Sequence, residues 1–139
     1  MSNEPSNDSR VSSRAVLGAL VLDVALVVTF AAIGRASHDE GVFGPWGSGL
    51  WQTAWPFLIA LALGWLIARA WLNPASPIRT GLPVWAITVA GGMLLRAVSD
   101  QGTAIAFVIV ASITLLVFLV GWRTIATWAH ARRTQLRPN

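Results

Sequence analysis

The chain is predicted to be all-α: an integral membrane bundle of four transmembrane helices over about 15–35, 52–72, 83–99 and 103–123, with both termini cytoplasmic. Composition is the first reason. Of 139 residues, 55% are hydrophobic and 12% charged, where a soluble domain carries about 25% charged residues. The second is that the apolar residues fall into four runs separated by short polar turns. The third is that arginine and tryptophan gather at the ends of those runs, where the membrane–water interface would lie.

The first run, residues 15–34, reads AVLGALVLDVALVVTFAAIG, and about 20 residues at about 1.5 Å each cross a hydrocarbon core. A cleaved signal peptide is the alternative, but the run exceeds an h-region and no cleavage site follows. The second run, QTAWPFLIALALGWLIARAWL, ends near Arg69, which can snorkel to the interface. The third, from Pro83 to about Ser99, is shorter and holds Arg96. The fourth, TAIAFVIVASITLLVFLVGW, has no charge and is the best lipid-facing candidate. Residues 1–13 are polar and expected to be disordered. The transmembrane domain is placed at 14–128, and 129–139 form a basic cytoplasmic tail.

Arginine distribution sets the orientation. Arg10, Arg14, Arg69, Arg79, Arg123, Arg132, Arg133 and Arg137 share one side of the predicted bundle, leaving Arg35 and Arg96 for the other. The positive-inside rule makes the first side cytoplasmic. Tryptophan agrees: Trp46, Trp51 and Trp55 fall at the outer level, Trp71, Trp85, Trp122 and Trp128 at the inner, and Trp65 inside a span. The basic segment after the fourth run is expected to lie along the cytoplasmic surface, where anionic lipids attract each arginine by about 1 kcal/mol.

Composition also excludes chemistries. The chain has no cysteine, so disulfides, thiolate metal sites and cysteine nucleophiles are absent. All ten basic residues are arginine, so a lysine Schiff base is impossible. A sequence pI near 11.6 could suggest nucleic acid, but the arginines flank apolar runs, and no nucleic-acid partner is expected. No Walker motif, GxGxxG or nucleophile elbow occurs. The expectation is therefore no enzyme, no cofactor and no metal.

Asp23 is the leading candidate residue. It is the single ionisable group of the first run, and a carboxylate at that depth costs about 2.5–3.5 kcal/mol on insertion scales unless it has a partner or a wet cavity. Counting turns from the inner surface puts Asp23 about 12 Å up and Arg96 about 19 Å up, within reach of an extended guanidinium. Asp100 competes for Arg96 at four-residue spacing. The intramembrane polar site is thus Asp23, Arg96 and Asp100, read as a structural pair, a proton or cation site, or a contact with another chain. A second cluster follows the first run in GRASHDEG: Arg35, His38, Asp39 and Glu40. It is either a solvated rim or a site in which His38 titrates and Arg35 holds an anion. Its spacing lacks the second histidine of HExxH.

Small residues recur every fourth position: Pro56, Ala60, Gly64 and Ala68 in the second run, Ala15 and Ala19 before Asp23 in the first, and Thr88 and Gly92 before Arg96 in the third. Such stripes let helix backbones approach closely in lipid.

Asp23 within its helix, FAAIGRASHDEG, AWPF, the Arg96 region and GWR together resemble domain-of-unknown-function family 3054, over roughly residues 14–124. The resemblance implies a small bacterial or archaeal membrane protein of about four helices. It places weight on Asp23, Arg35, His38 and Arg96 but implies no activity. With a plasma-membrane location, two functions fit, the first of them preferred. One is a small oligomeric proton- or ion-coupled transporter using the helix-1 carboxylate, an architecture analogous to the small multidrug transporters. The other is a non-transporting subunit or assembly factor that binds another membrane protein. Transport predicts that Asp23 lines a wet cavity, and the subunit role predicts a dry pair. Expected partners are the lipid bilayer and either a second copy or another membrane protein.

Overall fold

Each apolar run forms a helix because a backbone removed from water must satisfy its own hydrogen bonds. The computed structural model describes residues 11–36 and 43–135 and is all-helical among them. Its helices are α1 (Ser13–Ala36), α2 (Ser48–Ile67), α3 (Leu82–Val98) and α4 (Ile105–Gln135). Four helical segments are long and apolar enough to cross a membrane, the third including the turn before α3. The chain is a membrane protein on that evidence.

Local chemistry sets the helix ends. The Ser12 hydroxyl accepts from the Ala15 amide at 3.1 Å and caps α1. α2 tolerates Pro56 in its interior and stops when Arg69 turns left-handed, φ 47° and ψ 49°. The expected end at residue 72 is therefore too late, and the expected start at 52 misses the first turn from Ser48. A π-helical turn, Pro77–Gly81, leads into α3, with the Ser76 hydroxyl accepting from the Arg79 amide. α3 ends with Asp100 left-handed at φ 55° and the Gln101 amide bonded back to the Arg96 carbonyl at 3.0 Å, a Schellman closure.

α4 has no Gly or Pro between Gly121 and Gln135 and continues to that residue. Its 31 residues span about 46 Å against about 30 Å of hydrocarbon, more than one upright crossing requires. The expected end at 123 marks where the apolar run stops and not where the helix does, and the boundary expected at 128/129 falls inside α4.

The helices pack in a ring, α1 on α2, α2 on α3, α3 on α4 and α4 back on α1. α2 and α3 approach closest. A Cβ on Gly92 would overlap the Phe57 ring, one on Gly91 would meet Ala60 at 3.0 Å, and one on Gly64 would meet the Val84 backbone at 3.2 Å. The small-residue stripes are thus largely consumed inside the bundle. α4 buries Ala111, Leu115, Leu119 and Arg123, every fourth residue. Phe30, Phe57 and Phe107 form an aromatic cluster with centroids 5.2 to 6.3 Å apart. The outward faces are apolar, as lipid requires, with Leu17, Val21, Ile59, Leu63, Leu94, Ile109 and Val117 all exposed.

Asp23 meets Arg123 while Phe30 meets Phe107, so α1 and α4 are antiparallel. The start of α1 and the end of α4 lie at one end of the bundle, with the 73–81 turn beside them. The turn from Ser99 to Ala104 lies at the other end.

Candidate functional site

A carboxylate withdrawn from water needs donors for its lone pairs and a counter-charge. Asp23 lies on the stripe of α1 formed with Ala19 and Val27, and it is 0% exposed. Arg123, also 0% exposed, reaches it from α4 in a two-pronged pair: Nη1 donates to Oδ1 at 2.9 Å and Nη2 to Oδ2 at 2.6 Å. The Trp122 indole N–H donates to Oδ1 and that of Trp65 to Oδ2, each at 2.8 Å. Four donors fill four lone-pair positions, two per oxygen.

Arg123 is equally well spent. Its Nε donates to the Pro74 carbonyl at 2.9 Å and its Nη1 to the Leu119 carbonyl at 2.6 Å. Its guanidinium carbon lies 4.6 Å from the Trp122 ring centroid. The Gly81 position gives the side chain room, since a Cβ there would stand 3.1 Å from Arg123 Cδ. The Thr80 hydroxyl donates to the Asn73 carbonyl at 2.6 Å and holds the turn against the pair. The network therefore ties α1, α2, α4 and the 73–81 turn together at one charge-neutral point.

The expected pairing of Asp23 with Arg96 is not formed. Arg96 occupies the last turn of α3 near the opposite end. It stacks on Phe107 at 4.4 Å, and Phe107 packs on Phe30, seven residues or about 10 Å along α1 from Asp23. Its N–H groups go to Gln101 Oε1 at 3.0 Å and to the carbonyls of Gln101 and Gly102 at 2.9 to 3.3 Å. Asp100 makes no ion pair with Arg96 either. It is exposed, and its left-handed backbone ends the helix instead of continuing the i, i+4 register.

Of the second cluster, Arg35 ends α1 and its guanidinium lies over Gly49, where a Cβ would overlap it. His38, Asp39 and Glu40 lie outside the described residues. Arg35 and Arg96, expected at separate sites, line one cavity of about 290 Å³ with Phe30, Ala31, Gly34, Thr53 and Phe107. Another cavity, about 600 Å³, lies between Ser76, Ile78, Leu82, Val120 and Thr124 at the termini end. Asp23 lines neither.

Arg123, Trp65 and Trp122 complete the Asp23 site and were not expected there. Two signals pointed to them: Arg123 continues the four-residue spacing of Ala111, Leu115 and Leu119, and Trp65 is the one tryptophan within a span. Arg123 instead reads as a topology arginine because it directly follows the fourth run.

The family model described as "Protein of unknown function (DUF3054)" matches residues 20–126, a stretch that holds Asp23, Trp65, Trp122 and Arg123. Comparison with curated proteins and with solved structures gave no match.

Proposed function

The chain belongs to the DUF3054 family, whose function is unknown, and from that premise we propose that it is a non-transporting subunit or assembly factor of a larger membrane complex. The saturated state of Asp23 carries this reading. A coupling carboxylate must exchange its proton or cation with water on each side of the membrane, whereas this one is buried with every lone pair engaged by Arg123, Trp65 and Trp122. Proton uptake would forfeit at least one of those donors and leave a buried guanidinium without its counter-ion. The site suits a structural latch, and no catalytic role is assigned to it.

The partner is another membrane protein or a second copy. Small residues remain on lipid-facing surfaces of α1 (Gly18, Ala25) and α3 (Ala86, Ala90, Ala97), where a partner helix can approach closely. The location is the plasma membrane with the termini inside. Arg14, Arg69, Arg79, Arg123, Arg132 and Arg133 belong to the termini end of the bundle, which supports that side as cytoplasmic. The exposed basic end of α4, where Arg132 stacks on Trp128 at 3.7 Å, would then meet anionic lipid.

The experiment is proton flux into vesicles reconstituted with the purified protein and loaded with a pH-sensitive dye, under an imposed cation gradient and a membrane potential. No Asp23-dependent flux is expected. Flux by the parent protein that disappears in a folded Asp23→Asn variant would establish the rival, a proton- or ion-coupled transporter, and remove the subunit reading.

A further inference from the structure

The cavity shared by Arg35 and Arg96 has a chemistry that the Asp23 latch does not use. Two guanidiniums from α1 and α3 line about 290 Å³ at the end of an otherwise apolar bundle. Small-molecule sites start at about 300 Å³, so the space suits a compact group. The acceptors held by Arg96 are all neutral: one side-chain amide oxygen and two carbonyls. No carboxylate among the described residues pairs with Arg96, and Asp100, four residues on, takes no part. Counting donors, Nε and Nη2 are spent and one N–H of Nη1 remains. One face of the guanidinium is covered by Phe107, and the remaining N–H lies in its plane. Thr53 also lines it, its hydroxyl donating to the Gly49 carbonyl at 3.2 Å, and Phe30, Ala31 and Phe107 make the rest apolar.

We infer that this cavity is a binding site for a phosphate-type oxyanion, held by Arg96 on a lining that Arg35 shares, at the membrane interface. A guanidinium whose acceptors are all neutral keeps its full charge, and its remaining N–H can donate to an oxyanion. The apolar wall would lie against the body that carries the anion. The same chemistry is offered by the headgroup of an anionic phospholipid and by free phosphate. The site is independent of whether the protein transports or serves as a subunit.

The test uses the full-length protein purified in a neutral detergent, with retained ligand read by native mass spectrometry and thermal unfolding. The probes are phosphatidylglycerol, phosphatidylcholine and inorganic phosphate. Preferential retention of phosphatidylglycerol over phosphatidylcholine, unaffected by phosphate, identifies a lipid headgroup. Binding of phosphate that displaces the lipid identifies a free oxyanion, and either result supports the site. Arg96→Gln should weaken retention about tenfold or more, and Arg96→Lys less. Gly34→Leu keeps both guanidiniums and fills the cavity; a Cβ at Gly34 meets nothing within 4 Å, so the fold should hold while binding is lost. No selective retention of either anionic probe, or retention equal in the parent, Arg96→Gln and Gly34→Leu, would overturn the inference.

Discussion

Asp23→Asn isolates the energetics of the latch. Asparagine keeps one acceptor oxygen and replaces the other with an NH₂ group, so two of the four donors now at 2.6 to 2.9 Å lose their acceptor. Arg123, 0% exposed, is left charged without a counter-ion. Breaking a buried pair from one side costs about 3–5 kcal/mol. Arg123→Met should cost about as much, because it strands the carboxylate and also releases the carbonyls of Pro74 and Leu119. The double variant has no bare charge, so its loss should fall short of the sum of the singles by about 2–3 kcal/mol, the upper part of the range for residues in contact. The assay is reversible unfolding in mixed micelles titrated with dodecyl sulfate and followed by tryptophan fluorescence. Its unfolded reference keeps the helices formed but apart, so it reads the packing of the pair rather than its insertion. Arg96→Gln combined with Asp23→Asn serves as the control and should be additive, since Arg96 stacks on Phe107, which packs on Phe30 about 10 Å along α1 from Asp23. Single variants within about 1 kcal/mol of the parent, or additivity between positions 23 and 123, would refute the latch.

Three further outcomes are expected. Trp65→Phe removes an indole donor to a charged acceptor and should cost about 1.5–3 kcal/mol in the same unfolding assay, whereas Trp51→Phe, on the surface, should cost under about 0.5 kcal/mol. Gly92→Ala forces a methyl into the Phe57 ring and should destabilise by about 1–3 kcal/mol, while Gly121→Ala, with nothing within 4 Å, should be neutral or slightly stabilising. Reporter fusions after Asn139 and after Asn73 should read cytoplasmic and one at Pro45 external, and an external carboxyl terminus would invert the proposed orientation.

The four spans are legible in the order of residues alone, because a bilayer demands about 20 apolar residues per crossing and that length is visible as a run. So is the weight of Asp23, since an acid in such a run must be accommodated. The four-residue stripes at Ala60 and Gly64 and at Thr88 and Gly92 were legible as packing faces for the same reason, and these residues are buried. Helix ends were less so. The left-handed Arg69 that stops α2 carries no glycine or proline to announce it, and the bilayer edge, visible as a change in polarity, does not end α4.

The partner of Asp23 emerges only once the helices pack. Counting turns from the run boundaries placed Arg96 within reach, but a contact across helices depends on rotation as well as depth. α3 sets Arg96 beside Phe107, and α4 turns Arg123 inward on the stripe of Leu115 and Leu119. Arg35 and Arg96 lie 61 positions apart in the chain and likewise share a cavity only because α1 and α3 end at the same level of the bundle. Hydrophobicity is a property of each residue and its neighbours in the chain, whereas a charge pair in lipid is a property of four helices packed together.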